Sequence, residues 1–338
     1  MILVTGGTGL LGSHLLYELV KNGKEVTAIR RSEKHMPEVE QVFGYYSDTP
    51  GALLDRIRWV QADMLNYPAM LEVLEGVEEV YHCAAIVSFD PAQHAEMIRS
   101  NTVGTANLVN AAIGNGVRKF VHVSSTAAIG KPLGDKLADE TLIWTESKAN
   151  TGYSISKFRS EMEVWRGLQE GLNAVIVNPS IILGPGFWDH GSSSIFTKID
   201  KGLKFYSNGV TGYVGVWDVV RIMMRLMESD ISEERFLVTA ENLTYREVFE
   251  RVADEMGRKR PSIEGTKFMA ELAWRFDFLV SKLLRVGEHT FTKERVRAAR
   301  NVVRYDNAKV RKTLDFEFEP IESVIKKVVK YYQTQTGV

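Results

Sequence analysis

Short apolar runs rich in β-branched residues recur at Ile2–Val4, Glu25–Ile29, Ile57–Val60, Glu79–Cys83, Phe120–Val123 and Ala174–Val177. Each is separated from the next by a stretch long enough for a helix. Helical spacing of apolar positions marks Leu10–Asn22, Pro68–Glu75, His94–Asn115 and Tyr153–Glu170. Strands alternating with helices predict an α/β fold, a doubly wound parallel sheet with helices on both faces, over residues 1–178. Past Pro179 the pattern gives way to the glycine-rich and aromatic stretches Gly184–Gly191 and Gly202–Gly215, then to mostly helical spacing. That predicts a smaller, mostly helical, partly interleaved substrate-binding lobe over 179–338, with 212–240 returning to the first domain. Within it Thr244 and Glu247 form a capping-box pair that opens a helix over Tyr245–Met256.

The first strand runs into Thr5-Gly6-Gly7-Thr8-Gly9-Leu10-Leu11-Gly12 and then an apolar helix. Glycines at 6, 9 and 12 allow a tight turn, a close backbone approach to a pyrophosphate, and a helix N-terminus facing the anion. A dinucleotide is therefore the expected ligand, although an ordinary strand-to-helix turn has the same spacing. About 20 residues past such a turn, an acidic residue suits the NAD ribose and arginine suits a 2′-phosphate. Here the second strand ends in Arg30-Arg31, which favours NADP over NAD; a solvated basic strand end is the alternative.

A Tyr-x-x-x-Lys pair places a phenol and an ammonium on one helix face, where the ammonium lowers the phenol pKa toward neutrality and equips it to donate a proton to a carbonyl oxygen. The chain holds three such pairs, Tyr17/Lys21, Tyr153/Lys157 and Tyr305/Lys309. The first lies on the helix leaving the glycine turn and reads as packing. The third stands far along the chain beside a surface turn and reads as chance. Tyr153/Lys157 opens a long helix and follows a strand whose end delivers Ser124-Ser125-Thr126, at the edge where doubly wound sheets bind ligands.

Composition narrows the reading without redirecting it. Hydrophobic residues make up 44% of 338, and 42 Lys+Arg balance 43 Asp+Glu, so no bulk charge draws nucleic acid or an anionic membrane. The single cysteine, Cys83, excludes an intrachain disulfide and reads as a small buried hydrophobe in a reducing, cytoplasmic setting. No basic leader precedes the first strand and no run of about 18 apolar residues occurs, so neither export nor a membrane span is expected. His82 and His122 show no metal-ligand spacing and read as core histidines, so no metal is expected.

Thr5–Gly12, His82-Cys83-Ala84-Ala85, Asn101 with Gly104-Thr105, Val123–Gly130, Tyr153–Lys157, Asn178–Gly186 and Tyr305–Lys309 through Pro320 together resemble the extended short-chain dehydrogenase/reductase family, the NAD(P)-dependent epimerase/dehydratase superfamily with its Rossmann-type fold. The resemblance implies that Tyr153 donates the proton, Lys157 binds the nicotinamide ribose, and Ser125 orients the carbonyl, with Ser124 and Thr126 as rivals to Ser125. It implies cofactor contacts from Thr5, Gly6, Gly9, Leu10, Leu11, Gly12, Arg30, Asp63, Met64, Ala84, Ala85, Asn101, Tyr153, Lys157 and Pro179. For Asp63 a helix-capping role is the alternative, and for Asn101 satisfaction of buried backbone groups.

Nucleotide-sugar members of that family carry a second asparagine after the sixth strand, where this chain has Ile181, and the dehydratase branch places Asp-Glu after the catalytic hydroxyl, where this chain has Thr126-Ala127. The remaining resemblance is to dihydroflavonol reductases, cinnamoyl-CoA reductases and hydroxysteroid dehydrogenases. It implies hydride transfer between nicotinamide and a ketone, an aldehyde or a secondary alcohol of a relatively apolar small molecule. The alternatives are a nucleotide-sugar epimerase using tightly held NAD and a non-catalytic dinucleotide sensor. Trp188, Phe196, Trp217, Phe268 and Met269 are candidate pocket walls, although each alone is more often core, and the amphipathic stretch Lys267–Leu284 reads as core packing, with closure over substrate or contact with a membrane surface as the alternatives. The helices His94–Asn115 and Tyr153–Glu170 suggest a homodimer by the same resemblance.

Overall fold

The computed structural model describes residues 1–132, 134, 136–147, 150–266, 294 and 299–337. Its first half alternates β1 (Ile2–Thr5), α1 (Leu10–Lys21), β2 (Val26–Arg30), α2 (Met36–Gly44), α3 (Pro50–Leu54), β3 (Ile57–Gln61), α4 (Tyr67–Val73), β4 (Glu79–His82), α5 (His94–Gly114), β5 (Lys119–Val123), α6 (Gly152–Gln169) and β6 (Ala174–Pro179). There follow β7 (Ile181–Leu183), α7 (Ser194–Asp200), β8 (Phe205–Tyr206), β9 (Val210–Gly215), α8 (Val216–Glu228), β10 (Glu234–Val238), β11 (Glu241–Thr244), α9 (Tyr245–Glu255), β12 (Ile263–Glu264), α10 (Ala308–Leu314) and α11 (Ile321–Thr336). The Lys267–Leu284 stretch, with Phe268 and Met269, lies outside the described residues.

Seven strands form one sheet in the order β10-β6-β5-β4-β1-β2-β3, every neighbour parallel. All seven strands being parallel demands cover on both faces. Residues of α1, α2 and α8 bury one face and residues of α4, α5 and α6 the other. The strand order turns back between β1 and β4, so the crevice at their carboxyl ends is the place where such sheets hold a ligand. A second sheet, β11-β9-β7, closes a separate core with α7, α9 and α11.

The boundary of the second lobe differs from the sequence reading. β9 belongs to the small sheet, and the chain returns to the large one through α8 and β10, which pairs with β6 from Glu234 to Val238. Val310 of α10 and Phe316 also pack in the first core. The edge strand β10 escaped the pattern because its sequence, Glu-Arg-Phe-Leu-Val, begins on two charged residues.

The glycine turn has a packing reason at three of its positions. Gly6 takes φ +71°, and a Cβ there would lie 2.6 Å from Ala84 N; one at Gly7 would meet Leu16 Cδ1 at 2.7 Å; one at Gly12 would meet Gly6 O at 2.1 Å. At Gly9 the nearest atom would be 3.5 Å away. Gly12→Ala is therefore expected to cost about 1–3 kcal/mol through overpacking, and Gly9→Ala, with no clash, only the preference for glycine over alanine at an N-cap, about 0.5–1 kcal/mol. Urea denaturation of both variants checks this; a Gly12→Ala protein that unfolds at the wild-type midpoint would contradict the packing account.

Candidate active site

β5 delivers Ser124, Ser125 and Thr126 in succession, and the three hydroxyls go to three different partners. Ser124 Oγ donates to Glu161 Oε2 at 2.6 Å. Ser125 Oγ accepts from Ala127 N at 3.1 Å and acts on the Tyr153 hydroxyl, lowering its pKa. Thr126 acts on the Tyr305 hydroxyl, lowering its pKa against burial. Of the three, the structure brings only Ser125 onto Tyr153.

Tyr153 stands in the first turn of α6, which Thr151 caps by accepting from Ser154 N. One turn further, Lys157 is 3% exposed and donates from Nζ to Val123 O at 2.8 Å. The sequence reading expects Lys157 to lower the phenol pKa. In the structure burial raises the Tyr153 pKa, against a hydrogen bond from Ser125 that lowers it. Burial also brings Lys157 down to about 8, opposed by the charge of Glu161. The ammonium points at the strand carbonyl, so its effect on the phenol is outweighed by desolvation.

Behind this pair sits a buried carboxylate that sequence reasoning missed. Glu161, one turn past Lys157, also accepts from Asn178 Nδ2 at 2.7 Å, Trp165 Nε1 at 3.3 Å and Arg235 Nη1 at 3.0 Å. Asn178 Nδ2 donates in addition to Ser125 O at 3.1 Å, and Arg235 holds the Glu140 and Leu142 carbonyls. An i, i+4 Lys-Glu step after the tyrosine is the one sequence signal for it.

Tyr305 requires a correction. Its hydroxyl lies buried between Thr126 and Thr211. Its backbone is clamped by Asn242, whose Oδ1 accepts from Tyr305 N at 2.8 Å and whose Nδ2 donates to Tyr305 O at 2.9 Å. The partner lysine of that motif is elsewhere: Lys309 pairs with Glu234. Tyr305 thus lies beside the Ser124–Thr126 turn, reached by a fold-back no local pattern encodes. Tyr17 matches its packing role, buried and donating to Tyr46 O at 3.0 Å. Phe89 was also missed; its ring lies 5.9 Å from that of Tyr153.

On the dinucleotide side, Thr5 Oγ1 lies 2.7 Å from His82 Nδ1, and His82 Nε2 lies 2.9 Å from Thr105 Oγ1. Because Thr105 Oγ1 donates to Asn101 O at 2.7 Å, it accepts from His82, which fixes the proton on Nε2. Burial first, and Lys157 second, holds His82 down at about 3. Asn101 brackets the Ile86 backbone at 2.7 and 2.9 Å and donates to Ser156 Oγ at 3.2 Å, tying the loop after β4 to α6. Ala84 N donates to Thr5 Oγ1 at 3.3 Å, while Ala85 is exposed. Cys83 is half-buried, its thiol pushed up to about 12 by burial.

The crevice fits a dinucleotide. Gly9 supplies no side-chain cap to α1 and no acidic residue occupies its first turn, so the N–H groups of Leu10, Leu11 and Gly12 are left to an anion such as a pyrophosphate. A Cβ at Gly9 would intrude on that space while touching little of the chain. At the edge of β2 and β3, Arg31, Gln61, Ala62 and Asp63 line a 310 Å³ cleft. Arg30 is partly withdrawn from it by Glu33 at 2.8 Å and lies over Trp59. Asp63 accepts from Leu65 N at 2.9 Å and does not cap α4, which Asn66 does. Met64 O accepts from Asn107 Nδ2 at 2.9 Å. Pro179 closes β6 beside Asn178.

Residues 2–238 match the NAD dependent epimerase/dehydratase family. The chain belongs to that family. It is an NAD(P)-dependent oxidoreductase of the short-chain dehydrogenase type with a Rossmann-type fold. Sterol demethylase protein B of Methylococcus capsulatus is 32% identical over 268 residues, 77% of this chain and 76% of that one. Cinnamoyl-CoA reductase 1 of Petunia hybrida is 28% identical over 257 residues, 73% and 74% of the two chains. The UDP-glucose 4-epimerase of Thermotoga maritima shares the fold at a TM-score of 0.77 with 21% identity, covering 99% of each chain. Among the described residues no helix is long and apolar enough to cross a membrane.

The site carries an acid sensitivity. His82 is held neutral when folded, so between its ordinary pKa near 6.5 and about 3 the unfolded chain binds a proton that the folded chain refuses. Its contribution is present above that window and lost as pH falls through it. Urea unfolding at neutral and mildly acidic pH is expected to show a smaller acid loss in His82→Gln than in wild type; equal losses would remove His82 as a cause.

Proposed function

We propose that the chain reduces a ketone or aldehyde of a relatively apolar small molecule with NADPH, reversibly, using Ser125, Tyr153 and Lys157. The observation that carries this reading is the Ser125 hydroxyl placed beside the Tyr153 hydroxyl, where it lowers the phenol pKa against burial, with Lys157 one turn below. Two O–H groups held together this way serve one carbonyl oxygen: Ser125 orients it and Tyr153 delivers the proton. Bound nicotinamide supplies the hydride from its C4. Lys157, an ammonium at neutral pH by its pKa of about 8, balances the charge left on the phenol oxygen and holds the nicotinamide ribose.

The apolar substrate follows from what surrounds the acid. Phe89 faces Tyr153, and Ile181, half-buried on β7 against the second core, offers a sugar diphosphate no hydrogen bond. Three of the candidate wall residues pack in the core: Trp188 on Phe196 and Tyr332, Phe196 fully buried, and Trp217 donating to Tyr46 Oη at 2.9 Å.

Tyr153→Phe is expected to lower kcat at least a hundredfold while dinucleotide titration by fluorescence stays within about twofold of wild type; retained turnover would refute the assignment. For NADP over NAD, the support is Arg31 in the cleft of Gln61, Ala62 and Asp63, with the Arg30 Nε buried and unpartnered beside it. Arg31→Ala and Arg30→Ala should each raise KM for NADPH about tenfold or more and leave KM for NADH nearly unchanged. Parallel effects on the two cofactors would argue for NAD.

A further inference from the structure

Away from the catalytic network, His35, Glu38 and His190 place one ligand atom each within 4.8 Å of one another. His35 Nδ1 is 3.1 Å from Glu38 Oε1, and the two imidazoles meet edge to face with centroids 5.9 Å apart. His35 immediately precedes α2 and Glu38 stands in its first turn. His190 comes from the loop between β7 and α7, on the far side of the seam between the lobes.

That loop is fastened to α2 independently of the three side chains. Gly186, Phe187 and Gly191 all take left-handed backbone conformations, with φ of 97°, 55° and 55°, which is strained for Phe187. Burial of the Phe187 ring in the first core holds it there. His190 N donates to Phe187 O at 2.9 Å, and Trp188 Nε1 donates to Tyr45 Oη at 3.1 Å. A Cβ at Gly186 would lie 2.8 Å from Val42 of α2. The strained turn therefore seats His190 over the first turn of α2 with little freedom to withdraw.

Two imidazoles and one carboxylate form the donor set of zinc and its neighbours, whereas calcium and magnesium take oxygen. Ligand atoms at about 2.0–2.1 Å from a tetrahedral ion stand roughly 3.3 Å apart. His35 Nδ1 and Glu38 Oε1 already stand 3.1 Å apart, all three ligand atoms lie within 4.8 Å of one another, and the exposure of His190 leaves room for water at the remaining position. We propose that His35, Glu38 and His190 form a Zn²⁺-type divalent metal site. The bound ion clips the segment following β2, which begins at the arginines of the cofactor cleft, to the second lobe. Spacing along the chain hides this site because its third ligand joins only in the fold.

The test uses the full chain without a histidine tag, stripped with chelator. Titration with Co²⁺ followed by visible absorption, and with Zn²⁺ by calorimetry, is expected to give one ion per chain. Zn²⁺ should raise the melting temperature of wild type. His190→Ala and Glu38→Gln, both at positions with solvent access, are expected to melt as wild type without metal, to bind about tenfold or more weakly, and to lose the Zn²⁺-dependent rise. No saturable binding by wild type, or undiminished binding by His190→Ala, overturns the site.

Discussion

Glu161 carries a charge into the interior with 2% of its side chain exposed, and the site is arranged around making that tolerable. A buried carboxylate is strongly unfavourable unless donors surround it, and here four converge: a hydroxyl after β5, an amide on β6, an indole on α6 and a guanidinium on β10. Those donors come from the elements that must be in register for Ser125 to meet Tyr153. Because α6 carries Tyr153, Lys157 and Glu161 on one face, satisfying the carboxylate also sets the helix against the strand end. Withdrawing one donor would loosen the acid, the lysine and the hydroxyl together.

The same low-polarity interior sets the protonation of the site. Burial raises Tyr153 and Cys83 and lowers Lys157 and His82, in each case toward the neutral form. Lys157 remains an ammonium at neutral pH in part because Glu161 opposes the desolvation. His82 plays the opposite part: held neutral between Thr5 and Thr105, it adds no positive charge beside the lysine. The chain of polar contacts from Thr5 through His82, Thr105 and Asn101 to Ser156 then links the glycine turn to α6.

The sheet, its helices and the Tyr153/Lys157 pair were legible in the sequence because each rests on local periodicity or on spacing within one element. The glycine turn was legible for the same reason, although the spacing argument gave Gly7, which meets Leu16, no role. What stayed hidden came from distant segments. Tyr305 read as chance because nothing near it announces Thr126, and Trp188 and Trp217 read as pocket walls because an aromatic residue in a core has the same sequence appearance as one in a pocket. The preference among Ser124, Ser125 and Thr126 needed three-dimensional partners, since adjacent hydroxyls differ only in where they point.

The position of β10 bears on how the protein is made. The residues of the glycine turn, the cofactor cleft and the Ser125, Tyr153, Lys157 set all precede Pro179, yet β6 gains its outer neighbour only after β7, β9 and α8 have been synthesised. Until then β6 is a bare edge, with its ladder groups open to mispairing, and Glu161 lacks its guanidinium. The nascent chain thus carries its chemistry before it carries the strand that neutralises the charge beneath it, and Tyr305 arrives later still.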